Sequence, residues 1–482
     1  MNAYELTKGR RESLRGRQQN SKQPGPKSAP EIPPLPLHPY AERVLQELRD
    51  RVPWETEFLQ SVEEVFDSVS LVLEQNPQYE EARILERIIE PERAISFRVS
   101  WVDDQNRTNV NRGYRVQFNN ALGPYKGGTR FHASVNLGSL KFLGFEQTFK
   151  NALTGLSLGG GKGGADFQFR GRTDNEIMRF CQSYMTTLFH HIGPDTDVPA
   201  GDIGVGAREI GYLFGQYKRL TTTFDGTLTG KGLDWGGSRM RPEATGYGVA
   251  YFVEEMLRGS HESLDGKIVT VSGFGNVAWG AVKKVTELGG KVVTLSGPDG
   301  FVYDPDGVRG DKIEFMREMR FGGRDEVQQY ADRYHVSFHP SARPWVVPCD
   351  VALPCAIQNE LDGDDAKMLV ANGCRCVVEG ANMPTTPAAI HILQKSGMLY
   401  APGKASNAGG VAVSGLEMAQ NREGQGWSAE RVDRTLHSIM ANIHEICTTS
   451  AARYGRAGDY LVGANIGGFT RVADAMLDQG VV

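Results

Sequence analysis

Three lysines set among glycines and other small residues are the side chains best suited to chemistry in this sequence. Lys126 stands in GPYKGG, Lys150 in FKNALTGL and Lys162 in GGGKGG, and Asp202 follows in PAGDIG. Because glycine has no side chain, backbone and ligand can crowd such a lysine, and burial lowers a lysine pKa. A lysine in that state serves proton transfer or carbonyl polarisation. One such motif alone would fit a surface charge beside a flexible turn, but three close together favour a site.

A cationic pocket with one carboxylate suits a substrate that carries two negative charges. Two lysines can bind two carboxylates, a third can do chemistry, and an aspartate can carry protons. GGGKGG is not a nucleotide-binding P-loop, because Leu156 stands where glycine is needed and Gly163 where serine or threonine is needed. Three histidines are alternative acid–base groups, although helix or turn positions are favoured for them: His132, His190 and His191.

A glycine-rich turn predicts a dinucleotide site. GFGNVA fits the G-x-G-x-x-A pattern, directly follows an apolar strand and opens a helix. Gly273 permits the tight turn, Gly275 lets the backbone approach a pyrophosphate at the helix N-terminus, and Ala278 allows close packing. The alternative is a glycine turn in a protein that binds no nucleotide. The predicted cofactor-binding residues of this turn are Gly273, Gly275, Asn276, Val277 and Ala278.

The choice between NAD and NADP depends on the end of the next strand. Asp299 follows that strand, and an acid here suits a ribose 2′-hydroxyl and repels a 2′-phosphate. No lysine or arginine lies between Lys291 and Arg309. NAD is therefore the predicted cofactor, while NADP or dual use stays open because basic residues elsewhere could reach a 2′-phosphate.

Periodicity places these motifs in two α/β domains. Helical spacing after Trp54 is followed by alternating strands at Ile95–Trp101 and Tyr114–Phe118. The segment 236–248 opens a helix that runs to about Arg258. A strand, the glycine turn, a helix and a second strand at Val292–Leu295 follow, and they predict a parallel, doubly wound sheet. The predicted domains are 39–236 for the substrate, with helices from about 450–482, and 237–449 for the dinucleotide.

Composition narrows the class of protein. The formal net charge of −5 gives no general case for nucleic-acid binding, and no apolar run approaches the ~20 residues that span a bilayer. The six cysteines form no C-x-x-C pair, so we expect reduced core thiols, no metal and a cytoplasmic protein. Residues 1–38, basic and then proline-rich, predict a disordered extension, which fits a plain tail better than an organellar address.

From about residue 50 to its end, the chain resembles the glutamate dehydrogenases, in the hexameric class of the Glu/Leu/Phe/Val dehydrogenase family. The motifs that carry the resemblance are GPYKGG-x-RFH, FEQ-x-FKNALTGL, GGGKGG-x-D, VPAGDIGVG-x-REIG, RPEATGYG, GFGNVA, EGANMPTT and NAGGV-x-VSG-x-EM. The resemblance implies a substrate and oligomerisation domain, a Rossmann-like domain and C-terminal helices that pack back on the first. It also implies a homohexamer that acts on L-glutamate, 2-oxoglutarate and ammonia.

The resemblance also implies roles for individual residues. Lys162 would polarise the 2-oxo group and activate water, and Asp202 would move a proton to and from the amino group. The substrate-binding residues would be Lys126 and Ser414 for the γ-carboxylate, with Gln147, Lys150 and backbone near Gly201 for the α-carboxylate. Further cofactor contacts would be Thr245, Asn276 and Asn382.

Two other functions stay open at this point. Relatives that act on leucine, valine or phenylalanine have an apolar residue at the position of Lys126, so Lys126 with Ser414 favours glutamate. Position 129, however, is occupied by threonine, as in the relatives that act on branched-chain amino acids, whereas leucine is the more usual residue of the family. A non-catalytic binding protein that uses the basic N-terminal segment is a further alternative, which the intact Lys162 and Asp202 disfavour.

Overall fold

The computed structural model describes residues 37–321 and 326–482. The extension predicted at residues 1–38 therefore lies outside the described part, apart from its last two residues. Within the described ranges, no helix is both long and apolar enough to cross a bilayer.

The first half of the chain builds a mixed sheet covered by helices. Its helices are α1 (Pro39–Arg51), α2 (Thr56–Leu73), α3 (Gln78–Glu81), α4 (Ile84–Ile88), α5 (Leu137–Leu153), α6 (Asp174–Leu188) and α7 (Ala207–Thr221). Its strands are β1 (Arg93–Val102), β2 (Thr108–Asn119), β3 (Tyr125–Phe131), β4 (Gly160–Ala165) and β5 (Asp197–Gly201). The two strands predicted from alternation are confirmed as β1 and β2, which pair antiparallel.

The sheet has the order β1-β2-β4-β3-β5, so the two glycine-rich strands β4 and β3 lie inside it. β2 and β4 are antiparallel, whereas β4, β3 and β5 run parallel. Val116 is paired with Lys162, and Lys126 with Val198. Lys126 and Lys162 therefore project from neighbouring strands of one sheet.

The second half is a nucleotide-binding type of fold. Its helices are α8 (Ala244–Arg258), α9 (Asn276–Glu287), α10 (Asp311–Phe321), α11 (Gln328–Tyr334), α12 (Gly363–Ala371), α13 (Pro387–Lys395), α14 (Gly403–Ser406), α15 (Gly409–Glu423), α16 (Ala429–Arg453) and α17 (Tyr460–Asp478). Its strands are β6 (Ile268–Val271), β7 (Lys291–Val292), β8 (Thr294–Gly297), β9 (Gly300–Tyr303), β10 (Ser337–Pro340), β11 (Val351–Leu353), β12 (Cys376–Val378) and β13 (Leu399–Ala401).

The parallel sheet has the order β13-β12-β11-β6-β7, which confirms the predicted doubly wound arrangement. The second strand, predicted as continuous over Val292–Leu295, is wrong in one respect: it is split at Val293. Val293 N donates to Val269 O in β6, while Val293 O accepts from Asp304 N. The chain thus leaves the parallel sheet and enters a separate sheet with the order β10-β9-β8. The helix that the segment 236–248 was predicted to open begins at Ala244 and ends at Arg258, as expected.

The final helix packs against the first half of the chain, as expected. Phe469 and Val472 of α17 are buried in one apolar core with Phe66 of α2 and Phe149 of α5. A side chain at Gly468 would place its Cβ 3.0 Å from Phe149 Cβ, so a close approach of two helices requires glycine here. Helix α16 instead packs in the core of the nucleotide fold. The architecture is therefore mixed α/β with a Rossmann-like second part.

Candidate active site

One cleft of about 490 Å³ brings together side chains from both halves of the chain. It unites all seven residues predicted for substrate binding and catalysis with part of the predicted cofactor site. The predicted residues that line it are Lys126, Gln147, Lys150, Lys162, Gly201, Asp202, Thr245, Val277, Asn382 and Ser414. Of the remaining predicted residues, Gly273, Gly275, Asn276 and Ala278 lie at the glycine turn, and Asp299 lies beyond the end of β8.

Helix α5 presents Gln147 and Lys150 on one face of the cleft. The helix begins with a capping box in which Asn136 Oδ1 accepts from Ser139 N at 3.0 Å. Residues three positions apart on a helix are neighbours, so Gln147 and Lys150 point the same way. Lys150 Nζ donates to Asn382 Oδ1 at 3.0 Å, across the two halves of the chain. Burial, and then the charge of Lys162, lower the pKa of Lys150 to about 8.

Strand β4 and the end of β5 place Lys162 against Asp202. Lys162 Nζ lies 3.0 Å from Asp202 Oδ2, and Arg130 Nε donates to the same oxygen at 2.8 Å. Burial opposes ionisation of Asp202, but Lys162 and Arg130 more than offset it and hold the Asp202 pKa well below its usual range. Burial also lowers the pKa of Lys162, while Asp202 counteracts it.

Glycine at position 128 leaves the space above this pair open. A Cβ at Gly128 would lie 2.8 Å from Asp202 Cβ and 3.3 Å from Lys162 Nζ. Any larger residue there would cover the lysine amine. The arrangement offers a proton donor and a proton acceptor, side by side, to a molecule in the cleft.

Lys126 provides a second, deeper cation. Its residue exposure is 1%, and its Nζ donates to Thr229 Oγ1 at 2.8 Å. Burial, and then the charge of Arg241, hold the pKa of Lys126 well below its ordinary value. Ser414 Oγ is buried in the same cleft and has no hydrogen-bond partner within the described residues. A lysine amine and an unsatisfied hydroxyl that line one cleft are groups that fit a carboxylate.

Two arginines of this cleft were not predicted from the sequence. Arg241 lines it, and its buried Nε has no hydrogen-bond partner in the parts of the chain that the structure describes. Arg130 also lines it and holds Asp202. Both stand in motifs already noted, RPEATGYG and GGTRFH, so an arginine beside a predicted functional residue was an available signal. Thr229, which accepts from Lys126, carries no such signal.

The glycine turn fits a dinucleotide. Gly273 has φ 80°, which glycine adopts without strain, and its N–H donates to Ser296 Oγ at 2.9 Å. Gly275 caps α9, is exposed, and has open space where a Cβ would be. The first N–H groups of a helix have no intrahelical partner and attract an anion. Ala278 is fully buried beneath the turn. These residues would bind the pyrophosphate of a bound cofactor.

Asp299, which was predicted to select NAD, also stabilises the start of a helix. Its Oδ1 accepts from Val327 N and its Oδ2 from Gln328 N, both at 3.0 Å, at the N-terminus of α11. The carboxylate is thereby fixed beyond the end of β8. Asn276, the first residue of α9, is exposed. Contacts of either residue with a ribose stay predictions.

The other groups considered for chemistry lie elsewhere. His132 Nδ1 bonds to Ser134 Oγ at 2.8 Å, and His190 and His191 end a short 3₁₀ turn, outside the residues that line the cleft. All six cysteines are buried, as expected. In the described ranges no three metal-binding side chains cluster.

Comparison with known proteins gives one family. Residues 236–480 match the family model Glutamate/Leucine/Phenylalanine/Valine dehydrogenase, and residues 91–219 match its dimerisation domain. The NAD-specific glutamate dehydrogenase of Bacteroides fragilis is 57% identical, covering 92% of this chain and 99% of that protein. The NADP-specific glutamate dehydrogenase of Escherichia coli is 54% identical, covering 92% and 98%.

A solved glutamate dehydrogenase structure has the same fold. It superposes with a TM-score of 0.91 at 54% identity, over 92% of this chain and 99% of that one. Sequence identity of this extent, over both halves of the chain, shows common descent and not only a similar fold. The chain belongs to the Glutamate/Leucine/Phenylalanine/Valine dehydrogenase family.

Proposed function

We propose that this protein is a glutamate dehydrogenase, which interconverts L-glutamate and 2-oxoglutarate plus ammonia with a nicotinamide cofactor. The observation that carries the choice of glutamate is Lys126, a buried lysine with Ser414 in the same cleft. The two relatives cited above are named glutamate dehydrogenases and are 57% and 54% identical to this chain.

Lys126 selects the substrate side chain. A buried cation needs an anionic partner, because an unpaired buried charge is costly. The γ-carboxylate of glutamate provides that partner. Ser414 Oγ, which has no hydrogen-bond partner among the described residues, donates to the same carboxylate. Arg241 strengthens the positive charge of this end of the cleft. Leucine, valine and phenylalanine would leave Lys126 unpaired, and are therefore disfavoured.

Lys150 and Gln147 bind the α-carboxylate at the other end, with the backbone near Gly201. Fixing both carboxylates holds the α-carbon in one position, which is a large part of the catalytic effect in a two-substrate reaction. When bound, the nicotinamide ring supplies the hydride acceptor for that carbon. Thr245, Asn276 and Asn382 contact the cofactor.

Lys162 and Asp202 carry out the proton transfers. The Lys162 amine polarises the 2-oxo group and activates the water that attacks the α-carbon. Asp202, 3.0 Å from Lys162 Nζ, takes a proton from the substrate amino group and returns it in the opposite direction. Arg130 keeps the Asp202 carboxylate ionised and oriented.

NAD is the favoured cofactor. Asp299 is held rigidly at the end of β8 by two backbone N–H groups, and a fixed negative charge disfavours a 2′-phosphate. The cited relatives include one named NAD-specific and one named NADP-specific, so family membership alone does not choose between the two.

We also propose the assembly, location and division of the chain. The protein forms a homohexamer, as the family resemblance implies, and is cytoplasmic, as the cysteine usage of the sequence leads us to expect. The substrate domain is 39–236, completed by the C-terminal helix, and the dinucleotide domain is 237–449. Separate apolar cores in the two halves support this division.

Initial rates test the proposal. The purified protein is assayed with glutamate, leucine and phenylalanine, each with NAD and with NADP, by the absorbance of the reduced cofactor. Turnover of glutamate alone is expected, with a higher kcat/KM for NAD. A preference for leucine would mean that Lys126 does not face the substrate side chain, and no turnover of any amino acid would favour a binding protein.

A further inference from the structure

One arginine crosses the back of the sheet that carries the active-site lysines. Arg115 starts on β2, and its guanidinium reaches Asp197 on β5, the far edge of the sheet. Arg115 Nε donates to Asp197 Oδ2 at 2.8 Å, and Nη2 donates to Oδ1. Both side chains are fully buried. Nη1 donates to Gly127 O at 3.3 Å, on β3, which is one of the two strands between β2 and β5.

The strand register places this ion pair on the face away from the cleft. Arg115 is paired with Gly163, whereas Lys162 is paired with Val116. Because successive side chains in a strand alternate between faces, Arg115 and Lys162 lie on opposite faces. The ion pair therefore lies behind the active site and touches neither substrate nor cofactor.

Two glycines of GGGKGG make room for the arginine. A Cβ at Gly163 would lie 3.1 Å from Arg115 Cδ and 3.3 Å from its Nη1. A Cβ at Gly161 would lie 3.4 Å from Arg115 Nη2. Glycine is thus favoured on either side of Lys162 independently of any ligand, because it lets the Arg115 side chain pass behind the strand.

The same glycines weaken the strand that they form. Glycine has no side chain to pack against the neighbouring strands, and the register of glycine-rich strands is only weakly specified. β4 and β3 both have this composition. Arg115, joined to Asp197, ties β2 to β5 across both strands, and Gln117 Nε2 adds a bond to Asp197 Oδ2 at 3.0 Å.

We propose that Arg115 and Asp197 are a positioning pair that fixes the spacing between Lys126 and Lys162, and thereby the fit to a five-carbon dicarboxylate. The proposal rests on the function proposed above. Neither residue is catalytic, since each acts through the strands that carry the two lysines. A substrate that lacks the second carboxylate does not need Lys126, and depends less on this spacing.

The test compares L-glutamate with L-norvaline, which has a methyl group in place of the γ-carboxylate. In Arg115→Met, the ratio of kcat/KM for glutamate to kcat/KM for norvaline should fall at least about tenfold, and Arg115→Lys should recover part of it. Asp304→Asn is the control, because Asp304 is equally buried and bonded to Lys312, but lies in the nucleotide fold. It should leave the ratio unchanged.

A pH profile separates positioning from a general loss of structure. Burial lowers the pKa of Lys126 most, and Arg241 also lowers it while Glu417 raises it. Arg115 lowers this pKa further, and Asp197 raises it. Deprotonation of Lys126 should cause a fall in kcat/KM at high pH that occurs with glutamate but not with norvaline. This fall should move to higher pH in Arg115→Met and to lower pH in Asp197→Asn. If Arg115→Met does not fold, Asp197→Asn, which keeps the shape of the side chain, gives the ratio and the opposite shift.

The outcomes are distinct. An unchanged ratio with unmoved pH limbs in folded variants would overturn the positioning role, even if the variants were less stable. A wild-type protein without glutamate turnover would instead overturn the proposed function, and would do so before any variant is made.

Discussion

Lys162 Nζ and Asp202 Oδ2 face each other at 3.0 Å, beneath a glycine that leaves both open to the cleft. A lysine whose pKa burial lowers thus lies against a carboxylate whose pKa is held low. Lys162 is therefore placed to donate a proton, and the ionised Asp202 to accept one, side by side in the cleft.

Asp202→Asn tests this pair. The variant keeps the shape of the side chain but removes the proton acceptor, so kcat for glutamate should fall about 10²–10⁴-fold. KM should change little, because Asp202 does not bind a carboxylate. Since Asp202 raises the pKa of Lys162, its loss should also lower the pKa of Lys162. Asp195→Asn, which removes an exposed carboxylate paired with Arg422, is the control and should leave kcat unchanged. A kcat within twofold of wild type would remove Asp202 from the chemistry.

The pKa of Lys150 predicts a pH dependence of substrate capture. Its pKa of about 8 means that the amine is charged below that pH and loses its charge above it. The attraction for the α-carboxylate is therefore present at low pH and lost as pH rises, so kcat/KM for glutamate should decline above pH about 8. Lys150→Arg keeps a charge throughout this range and should shift the decline to higher pH. The same profile in Lys150→Arg would assign the decline to another group.

Asp299→Asn tests the choice of cofactor. Removing the negative charge should raise kcat/KM for NADP relative to NAD by about fivefold, since two charges near 4 Å in water interact by roughly 1 kcal/mol. The asparagine oxygen can still accept one N–H at the start of α11, so thermal unfolding should change by only a few degrees. An unchanged cofactor ratio would leave Asp299 with the structural role alone.

Local pattern was enough to predict the elements that carry the site. Alternation located β1 and β2, and the glycine turn before α9 was placed by its motif. The cleft then joined side chains that are distant in sequence, such as Lys126 and Ser414, which only the family resemblance had connected.

Long-range electrostatics and changes of sheet could not be predicted in this way. The Arg115–Asp197 pair joins strands whose neighbours are set by the topology, and nothing near either residue in the sequence indicates its partner. The break at Val293 arises because its N–H and C=O bond to different sheets, while its apolar side chain fits a continuous strand. The bonds of Asp299 to α11 depend likewise on a helix that follows later in the chain.

Substrate choice by Lys126 is the central claim, and Lys126→Leu tests it most directly. The measurement is kcat/KM for glutamate and for norvaline, in the wild type, in Lys126→Leu and in Lys218→Leu, which replaces an exposed lysine. Loss of a buried, charge-assisted bond to the γ-carboxylate should lower glutamate kcat/KM at least about 100-fold, at roughly 3 kcal/mol, with norvaline turnover kept or raised. Glutamate turnover in Lys126→Leu equal to that in Lys218→Leu would contradict the claim.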